Sequence, residues 1–345
     1  MEKHTLNTNQ TMNALVYTNT QEIVYRREPL PELRQGDVLL NVTASAICGS
    51  DMHAYHGKDS RRIPPLILGH EVSGTVVNGR FAGQQMVVNP LMSCGECSYC
   101  VGGQSNLCFD RELIGMYLAG AFADQVAISE RNLLPLPQGM SPIHAALTEP
   151  TATALHAVML VERALIRPLS EASCLVLGGG AIGLLTALIL KAKGCQNIDI
   201  AETNSLRKQS IETINCARCF NPMTEKLPRA EGYHVVLDCV GSGATRYTAS
   251  EAIRPGGIIS LLGLQDDKEG LDTRKITLQE VSVLGSYCYT QADMRAAIQM
   301  LFNKQLGDLS WLQVRPLSHG GQAFKDLHEG KVAAAKIVLQ PDNLM

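Results

Sequence analysis

Cys94, Cys97, Cys100 and Cys108 follow the pattern C-x2-C-x2-C-x7-C, which brings four thiolates into one short loop. Intervals this short let four sulfurs meet at about 2.3 Å from a single tetrahedral Zn²⁺ with little loop-closure entropy lost. Gly95, Glu96, Ser98, Tyr99, Gly102 and Gly103 suit a chain that must turn sharply around an ion. Two disulfides or an iron–sulfur cluster are the rival readings. A closed four-cysteine zinc site has no open coordination position, so it holds a loop and does no chemistry. The reacting groups must lie elsewhere.

A second group could react. Cys48-Gly49-Ser50-Asp51-Met52-His53 and Gly69-His70-Glu71 supply a thiolate, an imidazole and a carboxylate. Three such ligands leave zinc one position for a substrate. Spacing alone is a poor signal here, because Cys48 and His70 are far apart and a lone histidine beside a strand is more often structural.

Gly178-Gly179-Gly180-Ala181-Ile182-Gly183 matches G-x-G-x-x-G, with a strand-like run (Cys174–Leu177) before it and an amphipathic helix (Ala181–Lys193) after it. That context predicts a dinucleotide site. The first glycine allows the turn, the second the approach of a pyrophosphate, and the third close packing of helix on strand. Cofactor contacts are therefore expected at Gly178, Gly180, Ala181, Ile182 and Gly183. Glu202 ends the next strand, 19 residues after Gly183. A carboxylate there bonds ribose hydroxyls and repels a 2′-phosphate, which favours NAD over NADP. Arg207 lies five residues on and could serve that phosphate instead. Val240 and Gly263, after later strands, are further cofactor-contact candidates.

These motifs need a scaffold of two parts. A chain of 345 residues exceeds the roughly 250–300 at which one core stops growing. Apolar content of 45%, charge of 18% and 30 glycines fit an α/β globular protein. A net charge of −3 gives no reason to expect a nucleic-acid or anionic-membrane partner. The pairs Arg26-Arg27 and Arg61-Arg62 read as isolated, solvated charge. The opening MEKHTLNTNQ lacks an apolar stretch, and the longest apolar run, Ala181 to Leu190, is too short to span a bilayer. Eleven cysteines without an export signal predict reduced thiols and a cytoplasmic protein.

Up to about residue 150 the pattern is of short strands: Ala14–Tyr17, Val38–Val42, Glu71–Val77 and Met86–Asn89. Asn78-Gly79 predicts a tight hairpin with positive φ at both positions. From about Ala152 strands alternate with helices, with strands at Cys174–Leu177, Asn197–Ala201, Val235–Asp238 and Ile258–Leu262. Such alternation predicts βαβ units on a parallel sheet. From about Trp311 the character is mixed again, ending in the strand-like Lys336–Leu339.

In order along the chain, Cys48-Gly-Ser-Asp-x-His53, Gly69-His70-Glu71, the Cys94 quartet, Glu149-Pro150 and the glycine fingerprint resemble the zinc-dependent medium-chain alcohol and polyol dehydrogenases. The similarity runs from Met12 to Leu339 and looks most like the sorbitol, threonine and butanediol dehydrogenase branch. It implies a β-rich GroES-like catalytic domain over residues 1–152, completed by 306–345, and a doubly wound Rossmann domain over 153–305. It further implies two zinc ions per chain, one structural on the cysteine quartet and one catalytic on Cys48 and His70. Glu71 or Glu149 would complete the catalytic set. Asp51 would fix the His70 tautomer, and Ser50 would take the alcohol proton and pass it by way of the nicotinamide ribose toward His53. The implied reaction is hydride transfer from a secondary alcohol or polyol to NAD, giving a ketone. A hydroxy acid, a threonine-like amino-acid alcohol or a sugar phosphate is the alternative substrate, and a homodimer or homotetramer the expected assembly.

Gly83-Gln84-Gln85-Met86 stands where many relatives have Gly-Asp-Arg-Val, and it touches no proposed ligand. A zinc-free quinone or enone reductase would lack Cys48 and His70, and a non-catalytic relative would have no use for so many retained motifs. Cys216-Ala217-Arg218-Cys219 reads as incidental packing thiols. His156 is read as a neighbour of Glu149 at the cofactor cleft. The substrate-binding lining is expected from the loops His56–Arg62, Leu113–Ala119 and Tyr287–Tyr289.

Overall fold

The computed structural model describes residues 10–345, so most of the amino-terminal stretch read for an export signal lies outside the described residues. The β-rich part is organised by strand Asp37–Ala46, where apolar side chains recur on a largely buried strand. It pairs antiparallel with Glu71–Val76, Gln125–Ser129 and Lys336–Gln340 within a seven-stranded sheet. The strand Leu312–Pro316 lies beside Lys336–Gln340, so the chain returns at its end to the sheet where it began. A smaller three-stranded sheet packs on the same part of the molecule.

Between these segments lies a six-stranded, wholly parallel sheet. Its order is Arg218–Phe220, Asn197–Ala201, Ser173–Leu177, Tyr233–Asp238, Ile253–Leu261, Ser282–Gly285. The central strands are buried except at His234, as expected of a parallel sheet with helices on both faces. The strand order, not the strand direction, reverses between Ser173–Leu177 and Tyr233–Asp238, and the crevice at the carboxyl ends of such a pair is the usual ligand position. The helix Thr148–Ala164 and its neighbours carry one apolar cluster across both parts, with Val87, Leu147, Val158, Val176 and Trp311 in a common core.

Two expectations fail locally. Asn78-Gly79 is no two-residue hairpin, since the connection between Glu71–Val76 and Gln85–Val88 runs from Val77 to Gln84. Only Gly79 of the pair takes a positive φ, and the Asn78 side chain accepts a hydrogen bond from Leu39 N at 2.7 Å. That side chain ties the loop to the neighbouring strand and so replaces the turn. The second failure is Arg62, which is buried rather than solvated. Arg26 and Arg27 do lie at the surface, and Cys216 and Cys219 are buried as expected, their thiols pushed up by burial, Cys219 to about 12.

Candidate active site

Register explains how distant motifs meet. Ala46 pairs with Glu71 and with Val338, so Cys48, His70 and Lys336 all fall at one end of one sheet. Cys48 caps the helix Gly49–Tyr55, its sulfur accepting from Ser50 N at 3.5 Å while Cys48 N donates to Asp51 Oδ2 at 3.0 Å. Gly69 has φ +95°, and a side chain there would begin 2.6 Å from the Phe122 ring, so only glycine delivers His70 into this corner. His70 is buried, with Nδ1 3.4 Å from Asp51 Oδ1 and Nε2 3.4 Å from Ser50 Oγ. His70 Nε2 is thereby the nitrogen turned toward Cys48.

The ligand atoms of Cys48, His70 and Glu71 lie within 4.8 Å of one another. Glu71 Oε2 is buried without a hydrogen-bond partner, as a free metal-ligand atom would be. A soft thiolate, an imidazole and a carboxylate fit zinc. Glu71 Oε1 is already engaged, accepting from the buried Lys336 Nζ at 2.7 Å, while the same ammonium donates to Ile47 O at 3.0 Å. Burial acts to lower the Lys336 pKa, but Glu71 and the nearby Cys48 outweigh it and hold the ammonium charged. Lys336→Met should destabilise the protein by about 3–5 kcal/mol, because it leaves a buried carboxylate uncompensated. An unchanged midpoint in denaturant unfolding at neutral pH would contradict this.

Glu149 begins the helix Thr148–Ala164, buried near this group but outside the close set of three. Burial, reinforced by Glu71, raises its pKa to about 7 against the opposing pull of His70 and Lys336. The buried Tyr289 hydroxyl faces it and has no other partner among the described residues. His156 does not join this group, since it lies two turns further along the helix, where its Nδ1 bonds Asp293 at 2.8 Å.

Arg62, like Lys336, is a residue that sequence reasoning missed. Its fork donates to Gly115 O at 2.9 Å, to Asp59, and to Ser50 Oγ at 3.1 Å. Partners 3, 12 and 53 residues away leave no local signal. His53 is half-buried, and burial, with Arg62, Lys58 and Arg61, lowers its pKa against the opposing Asp59.

The cysteine quartet converges as its spacing requires. Sulfur separations are 3.5 Å for Cys97–Cys100, 3.5 Å for Cys94–Cys108 and 3.9 Å for Cys94–Cys100. A tetrahedron of sulfurs at about 2.3 Å from zinc has edges of about 3.8 Å, whereas a disulfide needs about 2.05 Å. Backbone N–H groups at Glu96 and Cys97 lower the Cys94 thiol to about 7, toward the thiolate a metal needs.

At the crevice of the parallel sheet, Leu177 leads into the glycine turn and the helix Ala181–Ala192 starts at Gly180. A side chain at Gly183 would begin 1.8 Å from Gly178 O, so the third glycine permits the close packing that the fingerprint implies. Glu202 is buried, accepting from Gly179 N at 2.9 Å and from Asn204 N at 2.7 Å, with Arg207 Nε 3.4 Å away. Val240 and Gly263 stand opposite, packed backbone on backbone through Gly241. Asp238 fixes that side by accepting from Val240 N and Gly241 N.

Residues 34–138 match the alcohol dehydrogenase GroES-like domain, and residues 181–303 match the zinc-binding dehydrogenase domain. A 2-dehydro-3-deoxy-L-galactonate 5-dehydrogenase from Pseudoalteromonas atlantica is 30% identical, over 85% of this chain and 88% of its own length. The chain belongs to the zinc-dependent medium-chain dehydrogenases. Another member, the L-galactonate-5-dehydrogenase of Escherichia coli, is also 30% identical, over 82% of this chain and 85% of its own. A zinc-binding dehydrogenase from Sinorhizobium meliloti, solved with NADP, superposes with a TM-score of 0.84 at 27% identity, covering 96% of this chain and all of that one. Membership makes this medium-chain dehydrogenase an NAD(P)-dependent oxidoreductase with a small-molecule substrate. Its architecture is the GroES-like part plus Rossmann sheet that the resemblance implied. No helix among the described residues is long and apolar enough to cross a membrane.

Proposed function

We propose that the chain oxidises a secondary alcohol or polyol to the ketone with NAD⁺, using Cys48, His70 and Glu71 or Glu149 to hold a catalytic zinc. The observation that carries this reading is the meeting of Cys48, His70 and Glu71 beside Ser50, at one sheet end. Zinc held by these residues would supply Lewis-acid polarisation of the substrate hydroxyl, and a nicotinamide bound at the glycine turn would supply the hydride acceptor. Ser50 receives the hydroxyl proton. Asp51 orients His70 and, through Cys48 N, the ligand-bearing turn. His53 takes the proton onward to solvent, burial lowering its pKa so that the imidazole starts neutral and releases the proton readily. The second zinc, on Cys94, Cys97, Cys100 and Cys108, holds a lobe of the chain in place.

Residues 1–152 with 306–345 would form the catalytic domain and 153–305 the cofactor domain, in a cytoplasmic homodimer or homotetramer. Zinc analysis should give two ions per chain, and NADH absorbance should rise with polyols. A well-folded, zinc-loaded protein that reduces no NAD⁺ across a panel of polyols, diols and hydroxy acids would sink the reading.

Cofactor choice rests on Glu202. Its two oxygens already accept one backbone N–H each, and the remaining lone pairs suit ribose hydroxyls while the charge repels a 2′-phosphate. Glu202→Ala should weaken NAD⁺ binding by about 10–100-fold, the worth of one or two hydrogen bonds to a charge, and relax discrimination against NADP⁺. Wild-type kcat/KM higher with NADP⁺ than with NAD⁺ would hand the role to Arg207.

A further inference from the structure

We infer that the cleft contains a subsite for an anionic group of the substrate, formed by Arg61 and Arg111. This rests on the dehydrogenase reading and narrows its substrate to a polyhydroxy chain bearing a carboxylate or a phosphate. The subsite is a cavity of about 150 Å³ lined by Arg61, Arg111, Tyr117 and Tyr287, with Leu113 and Met116 as its apolar wall. At about 30 Å³ for a water molecule, that volume takes an oxyanion and little more.

Position ties this cavity to the reacting centre. Arg61 precedes Arg62, which donates to Ser50 Oγ. The loop bearing Leu113, Met116 and Tyr117 contains Gly115, whose carbonyl Arg62 also holds. Tyr287 lies two residues before Tyr289, which faces Glu149. Each of three loops thus presents one residue to the centre and a close neighbour to the cavity. An anion held in the cavity would therefore be bound by the same loops that shape the centre.

Charge and free donors favour an anion. Asp59 is shared by two guanidinium groups, Arg61 and Arg62. Glu112, also at the cavity, pairs with Arg34. Arg111 forms no ion pair among the described residues. It stacks over the Tyr287 ring at 4.8 Å and donates Nη1 to Cys108 O at 2.6 Å. That anchoring holds the side chain and leaves Nη2 without a partner among the described residues, while Asp59 occupies Nε and Nη2 of Arg61 and leaves its Nη1 free. Two oriented guanidinium donors and two phenols match the oxygens of a carboxylate or phosphate.

The test compares a neutral hexitol, the corresponding hexonate and the hexitol phosphate with zinc-loaded protein and NAD⁺. One charged member should exceed the neutral one in kcat/KM by about 10–100-fold, as hydrogen bonds to a charge allow. The better of the two identifies carboxylate or phosphate. In Arg61→Gln and in Arg111→Gln that charged-to-neutral ratio should collapse toward one, mainly through KM, and Arg111→Lys should restore part of it. Arg111 also braces the cysteine lobe through Cys108, so the Arg61 variant, on a separate loop, guards against a folding artefact. Calorimetric titration of the NAD⁺-loaded protein with inorganic phosphate and with the hexonate should show binding of at least one, weakened in both variants. A neutral substrate preferred over both charged ones, or a ratio unmoved in both variants, overturns the subsite and leaves the dehydrogenase intact. No NADH from any of the three overturns the assignment of a hexitol-type substrate, and the titration alone then decides the subsite.

Discussion

Ser50→Ala should lower kcat by about 10²–10⁴-fold, the loss typical of a positioned acid–base group, with zinc content and NAD⁺ affinity near wild type. A hydroxyl oxygen has two lone pairs and one proton. Arg62 Nη2 occupies one lone pair at 3.1 Å, which leaves the other to receive the substrate proton while the Ser50 proton departs. Alanine removes acceptor and donor together. Ser50→Thr keeps both and should retain substantial activity. Turnover by Ser50→Ala within a factor of two of wild type would mean that water carries the proton and Ser50 is misassigned.

The second large effect separates the two metal sites. His70→Ala removes one of three closely placed ligands and should cost far more than the 10–100-fold typical of losing a ligand's supporting partner, so turnover should fall below detection. The melting temperature should change little by comparison. Cys97→Ser should do the reverse to the fold, because a closed thiolate site contributes folding energy directly. A protein of this size loses about 2–4 °C of Tm for each kcal/mol removed, so the loss of one zinc should be plain in a thermal scan. Metal analysis should read one ion per chain in each variant. A Cys97→Ser protein that melts as wild type and keeps two ions would refute the structural assignment.

The sequence announced what is local and hid what is not. The cysteine quartet and the glycine fingerprint lie within short windows, and the strands on either side of Gly178 were legible because buried parallel strands are continuous apolar runs. Arg218–Phe220 and Ser282–Gly285, at the two edges of the same sheet, are only three and four residues long, the second largely exposed, and carry no such run. Arg62 and Lys336 were illegible for a different reason. A lone cation reads as surface until its acceptors are known, and those acceptors come from strands and loops that only the fold brings near. Asn78-Gly79 failed because a side-chain bond to Leu39 competes with the turn that the dipeptide favours in isolation.

The ion pair between Lys336 and Glu71 spans 265 residues and therefore has a history within each molecule. A ribosome delivers Cys48, His70 and Glu71 early, then the whole parallel sheet, and only afterwards the strand that carries the ammonium. Until that strand docks against Asp37–Ala46, burying Glu71 is unfavourable. The carboxylate beside Cys48 and His70 thus receives its counter-charge only from the last strand of the fold, after the nucleotide-binding half has been synthesised.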